Sequence, residues 1–285
     1  MTQIVEKKKE MRAVTSAWRR AGRRIGLVPT MGALHQGHLS LIRAALAECD
    51  VTVVSIFVNP TQFAPGEDFE RYPKTFEDDL GTSRELGVDT VFAPANDEMY
   101  GPGTETYVMQ ERLMSALEGA SRPAHFRGVL TVVLKLFHIV GPDAAYFGRK
   151  DYQQTVVLRR MVADLDVPVE MRVCPTVREP DGLAMSSRNR YLTADERSQA
   201  RSLYEALTRC RELFEAGDRR ADDLREAMRE RIDREPDARI DYVEVVRPDD
   251  LTPAQSAEPG DVALVAVRIG DTRLIDNIVL GDDDT

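Results

Sequence analysis

From the start of the chain to Thr176, short runs of aliphatic and β-branched residues alternate with stretches whose apolar positions recur at helical spacing. The runs Ile25–Pro29, Val51–Val58, Thr90–Ala93, Ala144–Phe147 and Val169–Val173 predict strands. Between them, Lys7–Ala21, His38–Glu48, Thr75–Leu86, Gly128–Ile139 and Gln153–Leu165 predict helices. Strands alternating with helices make a parallel sheet with a helical layer on each face. Val51-Thr52-Val53-Val54-Ser55-Ile56-Phe57-Val58 has no polar face, as expected of a central strand buried on both sides.

Beyond Thr176 the pattern changes. Thr193-Ala194-Asp195-Glu196 is a Thr-x-x-Glu capping box that opens a helix running to about Ala216, and a second helix is expected near Ala221–Arg234. Runs at Ile240–Val246, Val262–Ile269 and Arg273–Leu280 follow, the last two joined through Gly270-Asp271, a hairpin signal. The expectation is therefore an α/β protein: a Rossmann-like, doubly wound parallel sheet over residues 1–176, then a smaller α+β domain over residues 177–285. Pro175–Asn189 links the two.

Composition supports this and excludes some functions. A chain of 285 residues, 42% hydrophobic and 30% charged, suffices for two folded domains. Its formal net charge of −10 speaks against a nucleic-acid partner, and Arg19-Arg20 and Arg23-Arg24 read as solvated basic residues. The N-terminus turns charged after Met1-Thr2-Gln3-Ile4-Val5 and no apolar run reaches membrane-span length, so no membrane partner is expected and a cytoplasmic location is. Cys49, Cys174 and Cys210 form no C-x-x-C pair, which argues against a disulfide framework or a zinc site.

Candidate chemistry concentrates where strands end. Ile25–Val28 runs into Pro29-Thr30-Met31-Gly32 and then His35-Gln36-Gly37-His38 ahead of an amphipathic stretch. A helix that starts there offers unpaired N–H groups and the positive end of its dipole, and two imidazoles three residues apart can reach one anion, with Gly37 leaving room. Metal ligation is the alternative use of such a pair. In a doubly wound sheet the ligand lies at the carboxyl ends of the strands. There the chain also has Asn59-Pro60-Thr61-Gln62-Phe63, Gly148-Arg149-Lys150-Asp151-Tyr152-Gln153-Gln154, Pro175-Thr176-Val177-Arg178 and Met185-Ser186-Ser187-Arg188-Asn189. Hydroxyls beside a guanidinium fork suit phosphate oxygens. Taken singly, Gln62 could cap a loop, Lys150-Asp151 could be a solvated pair and Ser186 could cap a turn. His125 falls in a loop that can line the site; His138 falls within an apolar helix, where a packed role is expected.

These segments in this order, from Val28 to His38, Phe57 to Phe63, Phe147 to Gln154 and Met185 to Asn189, closely resemble the pantothenate synthetase (pantoate–β-alanine ligase) family over nearly the whole chain. The His-x-Gly-His element alone is shared with the wider nucleotidyltransferase superfamily and the class I aminoacyl-tRNA synthetases. The resemblance implies a two-step ATP-dependent ligation: pantoate attacks the α-phosphorus of ATP, giving pantoyl adenylate and pyrophosphate, and β-alanine then displaces AMP.

It further implies roles for particular residues. Met31, Gly32, Ala33, Leu34, His35, Gln36, Gly37 and His38 would hold ATP phosphates, with His38 as proton donor and His35 stabilising charge on the α-phosphate. Lys150, Ser186, Ser187 and Arg188 would hold the departing pyrophosphate, and Gly148, Arg149, Asp151, Val177 and Met185 would complete the nucleotide site. Gln62 and Gln154 would grip pantoate, against an apolar wall of Met31, Phe63 and Val140 or Val133. Mg²⁺ would arrive with ATP, near Asp78 and Asp79. The family is usually homodimeric, and Arg149 stands where it commonly has an acidic residue. The competing readings are another His-x-Gly-His nucleotidyltransferase with a phosphate-bearing acceptor, a synthetase remnant and a non-catalytic nucleotide sensor.

Overall fold

Buried β-branched strands need neighbours on both edges, and the computed structural model, which describes residues 1–282, supplies them. In chain order the first part contains β1 (Gln3–Val5), α1 (Lys8–Arg20), β2 (Ile25–Thr30), α2 (Gln36–Glu48), β3 (Val51–Ile56), α3 (Phe76–Leu86), β4 (Thr90–Phe92), α4 (Asn96–Met99), α5 (Glu118–Ser121), α6 (His125–Val140), β5 (Ala144–Gly148), α7 (Tyr152–Asp164) and β6 (Glu170–Cys174). The six strands form one parallel sheet in the order β1-β4-β3-β2-β5-β6. One face packs on α1, α6 and α7 through Leu27, Val53, Phe92, Leu130 and Leu158; the other packs on α2 and α3 through Val28, Val54, Ile42 and Leu80. Strand order reverses between β2 and β5, the position at which a doubly wound sheet opens a crevice.

The second part contains α8 (Ala194–Ala200), α9 (Ser202–Glu215), α10 (Ala221–Ile232), β7 (Ala238–Val246), β8 (Val262–Ile269) and β9 (Thr272–Val279). Its three strands form an antiparallel sheet in sequence order, with Ile269 pairing Thr272 across a turn that Gly270 enters at φ +56°. A separate core, including Leu203, Leu207, Leu224, Met228, Val243 and Val265, fills the space between this sheet and its helices.

The boundaries correct the sequence expectation in four places. β1 carries no strand signal of its own: it is three residues long and pairs with β4 at the sheet edge. The single helix expected from the Thr193 capping box is two, meeting at Arg201, whose backbone stays right-handed helical (φ −60°, ψ −25°). α6 starts at His125, so that residue belongs to a helix and not a loop, and His138 is exposed on the same helix instead of packed. α2 starts at Gln36, which makes His35 its N-cap.

The two parts are tied directly. Tyr152 and Val156 of α7 pack with Val246, Leu251, Val262 and Leu264 in an apolar cluster between them. Beside it, the Arg273 guanidinium donates to both Glu118 oxygens (2.7 and 2.6 Å) and Tyr242 donates to the same carboxylate at 3.0 Å. Arg178, in the connecting segment, holds Asp276 of β9 with two bonds (2.6 and 3.1 Å).

Candidate active site

The β2–α2 turn is built around a buried carboxylate. Gly32 and Ala33 both have positive φ (+82° and +51°), which turns the next amides to one side. There Asp79 of α3, 3% exposed, accepts from Ala33 N at 2.9 Å, Leu34 N at 2.8 Å and Thr75 Oγ1 at 3.2 Å. A side chain at position 32 would collide with this carboxylate, since a Cβ there lies 2.9 Å from Asp79 Oδ2. The Ala33 and Leu34 amides are thus satisfied from within the fold.

The imidazoles face the other way. His35 Nδ1 accepts from Gly37 N at 3.2 Å, and His38 Nδ1 accepts from His35 N at 3.4 Å, a reciprocal cap on α2. A nitrogen that accepts a hydrogen bond carries no proton, so in each neutral ring the proton sits on Nε2. The rings lie 4.1 Å apart between centroids. Burial, then the Lys150 charge, brings His35 down to about 4; burial, then His35, brings His38 down to about 3. Both are neutral Nε2–H donors at pH 7.

Across the crevice, β5 ends in the turn Arg149–Asp151, where Lys150 Nζ lies 3.5 Å from Asp151 Oδ1. The turn is steadied from the second part of the chain: Asn277 Nδ2 donates to the carbonyls of Arg149 (3.0 Å) and Lys150 (2.8 Å). Burial raises the Asp151 carboxyl, but Lys150 and Arg188 outweigh it and hold it below the usual range. The third wall is Met185–Arg188. Ser186 caps the short helical turn Ser187–Tyr191 by accepting from Arg188 N, and Arg188 Nε and Nη2 donate to Asp68.

These walls enclose one cavity of about 660 Å³. Met31, His35, Gly37, His38, Gln62, Gly148, Lys150, Asp151, Gln154, Val177, Met185, Ser186, Ser187 and Arg188 all line it, so residues from five separate stretches converge. Gln62 has an orienting partner at each end of its amide: Asn59 Nδ2 donates to Oε1 at 3.2 Å, and Nε2 donates to Met31 Sδ at 2.8 Å. Sulfur is a weak acceptor, which leaves Nε2 readily available to a better one. Gln153 and Gln154 are adjacent and both line the cavity, but the amide of buried Gln153 is committed within the fold, donating to the carbonyls of Leu113 and Ala116 and accepting from Glu118 N. Val129, Val132, Val133 and Leu136 of α6 supply an apolar side.

Several expected residues lie outside the cavity lining. Gly32, Ala33, Leu34 and Gln36 shape the turn from behind, and Arg149 reaches outward to Asp282 at 2.7 Å. Phe63 packs on Phe69 and Tyr72, and Val140 is buried in the core. Of the residues expected near Mg²⁺, Asp78 is exposed and Asp79 supports the β2–α2 turn, and neither lines the cavity. Among the described residues no group of three or more His, Cys, Asp or Glu is arranged to hold a metal ion.

Other contributors escape a sequence reading. Asp68, Tyr72, Glu118 and Asn277 line the cavity or brace its walls through contacts far apart in sequence, and no local pattern marks them. His125 lines it with Nδ1 3.0 Å from Gln62 O, and burial, then Arg122, brings its pKa down to about 4.

A parallel sheet that opens at its switch point onto paired imidazoles, a lysine turn and a Ser-Ser-Arg segment defines a nucleotide-handling α/β enzyme. The chain belongs to the pantoate-beta-alanine ligase family, whose sequence pattern matches residues 3–279. It is 55% identical over 270 residues to a pantothenate synthetase of Moorella thermoacetica, covering 95% of each chain. The crystal structure of pantothenate synthetase from Thermus thermophilus superposes with a TM-score of 0.92 at 46% identity, over 97% of this chain and 99% of that one. That of the Francisella tularensis ligase, solved in complex with beta-gamma ATP and beta-alanine, superposes at 0.82 with 34% identity, over 100% of both chains.

Proposed function

We infer that the protein condenses pantoate with β-alanine, using ATP and releasing AMP and pyrophosphate, through a pantoyl-adenylate intermediate. One observation carries the reading: groups suited to a polyphosphate and neutral amide groups line a single cavity within a chain that matches this family over residues 3–279.

The chemistry follows from the walls. In the first step a pantoate carboxylate oxygen bonds to the α-phosphorus, the α–β phosphoanhydride bond breaks, and its electron pair leaves on pyrophosphate. Such transfers depend on positioning and charge neutralisation. His35 and His38 donate Nε2–H bonds to the α-phosphate oxygens, stabilising the charge that builds there. Being neutral, they form no ion pair with the pantoate carboxylate. Lys150, Ser186, Ser187 and Arg188 take the β- and γ-phosphates. Gly148, Asp151, Val177 and Met185 seat the nucleoside, and Gln62 and Gln154 hold the pantoate hydroxyls and carboxylate beside Met31 and the α6 valines.

In the second step the β-alanine amine, having lost its extra proton, attacks the acyl carbon. The bond from that carbon to the AMP oxygen then breaks. The mixed anhydride is open to hydrolysis, so the site must exclude water, and the segment from residue 177 onward serves as the cover. Magnesium enters as part of the MgATP substrate, carried chiefly by phosphates and water as its coordination habits favour. The working form is a cytoplasmic homodimer.

Omitting each component in turn tests the reading. AMP should form only with ATP, Mg²⁺, pantoate and β-alanine together, whereas one equivalent of pyrophosphate per site should appear without the amine. Pyrophosphate release that ignores pantoate would overturn it.

A further inference from the structure

The guanidinium of Arg188 is not free to search for its ligand. Asp68 accepts from Nε at 2.9 Å and from Nη2 at 3.0 Å, gripping one edge of the planar fork. The pair is largely shielded, the two side chains being 27% and 14% exposed. A side-on grip of this kind leaves the Nη1 end of the fork pointing away from the carboxylate, available to an oxyanion.

Asp68 is itself fixed. Its neighbour Glu67 binds Arg122 with two bonds, at 2.9 and 2.7 Å, anchoring the loop beside α6. Further along, Ser187 donates to the Tyr72 hydroxyl at 3.2 Å, and Tyr191 donates to the Arg71 carbonyl at 3.1 Å. The 67–72 loop therefore touches the Ser187–Tyr191 turn at three places, and Asp68 is the charged one. Burial disfavours both charges of the pair, yet the mutual bonds outweigh it, holding the Asp68 carboxyl below its ordinary range and Arg188 above its own.

We propose that Asp68 is a positioning residue for the first half-reaction: it presets the Arg188 fork so that the departing pyrophosphate meets an oriented cation. An unrestrained arginine loses substantial rotamer freedom whenever it engages a ligand, and this pair removes that freedom in advance. The carboxylate acts through Arg188 and not on the substrate. The proposal rests on the reading that Arg188 binds nucleotide phosphate.

The test is a cycle of variants, Asp68→Ala, Arg188→Ala and the double change, read by single-turnover pyrophosphate release from ATP, Mg²⁺ and pantoate. Aminolysis of pre-formed pantoyl adenylate by β-alanine is measured in parallel. Asp68→Ala should slow pyrophosphate release by about tenfold or more at saturating ATP, the scale expected of small misplacements. It should leave aminolysis within about twofold, a difference that general loss of structure would not produce. Asp68→Glu should recover part of the rate, and the double variant should be no slower than Arg188→Ala alone. Asp68→Asn keeps the side-chain volume and carries the same comparison if the alanine variant does not fold. Effects that multiply in the double variant, or an Asp68→Ala enzyme at full speed while Arg188→Ala is impaired, would overturn the proposal. Unimpaired Arg188→Ala would instead overturn the phosphate assignment beneath it.

Discussion

On the proposed function, two walls of the cavity face one polyphosphate and meet it in opposite ways. The histidine wall is neutral: its rings are fixed by backbone amides, and the turn before them is fixed by the buried Asp79 carboxylate. The arginine wall is charged, is contributed by the segment after β6, and is steadied by a largely shielded ion pair with a loop of the first part. If the proposed function holds, the difference teaches a division of labour. Neutral N–H donors on a rigid turn read where the α-phosphate lies without over-stabilising the ground state. The ionic wall neutralises a leaving group that carries most of the charge.

Removing one donor from the neutral wall gives the largest expected effect. His38→Ala should lower the rate of pyrophosphate release by about 10²–10⁴-fold, as loss of a preorganised transition-state donor does, with a smaller change in ATP affinity. Rapid-quench measurement of the pyrophosphate burst checks this. A near-normal burst would show that the charged wall suffices.

The supports of the two walls should also differ. Asp79→Ala strands two amides and opens a void behind the turn, so chemical denaturation should show a loss of about 1–3 kcal/mol, together with slower adenylation. Asp68→Ala leaves the Arg188 guanidinium without its partner, but beside the open cavity it can turn toward water, so the same experiment should show a smaller loss of about 1 kcal/mol. Equal losses would erase the distinction between a folded-in support and an electrostatic one.

A smaller effect concerns pH. The His35 and His38 pKa values lie below the ordinary imidazole value, at about 4 and 3, so between pH 6.5 and about 3 the unfolded chain binds more protons than the folded one. Their contribution to stability is therefore present above pH 6.5 and is lost as pH falls through that window. Nitrogen NMR of the free enzyme should show both rings as neutral Nε2–H tautomers at pH 6. Imidazolium signals there would contradict the neutral wall.

What the sequence reveals and what it conceals divide along the same physical line. Signals carried by neighbouring residues are legible: the apolar runs of β2, β3 and β5, the Thr193 capping box, the Gly270 hairpin and the clustering of His35, His38, Lys150 and Arg188 at strand ends. The supports are not, because each is a contact between distant positions. Asp79 looks like any acid in the first turn of a helix, and only its contacts with Ala33 and Leu34 show that it holds the β2–α2 turn. Asn277 lies in an ordinary edge strand, yet it pins the Lys150 turn. Arg201 fits a helix so well that the junction of α8 and α9 leaves no local mark. The expectation for His138 fails for a related reason: apolar neighbours in sequence do not say which face of α6 meets solvent.

The most direct test of the account follows an oxygen atom. Pantoate labelled with ¹⁸O in its carboxylate, incubated with ATP, Mg²⁺, β-alanine and the enzyme, should transfer one label to the phosphate of AMP, because carboxylate attack at the α-phosphorus and acyl–oxygen cleavage leave it there. AMP free of label, or label in pyrophosphate or inorganic phosphate, would contradict chemistry at an α-phosphate held between the two walls.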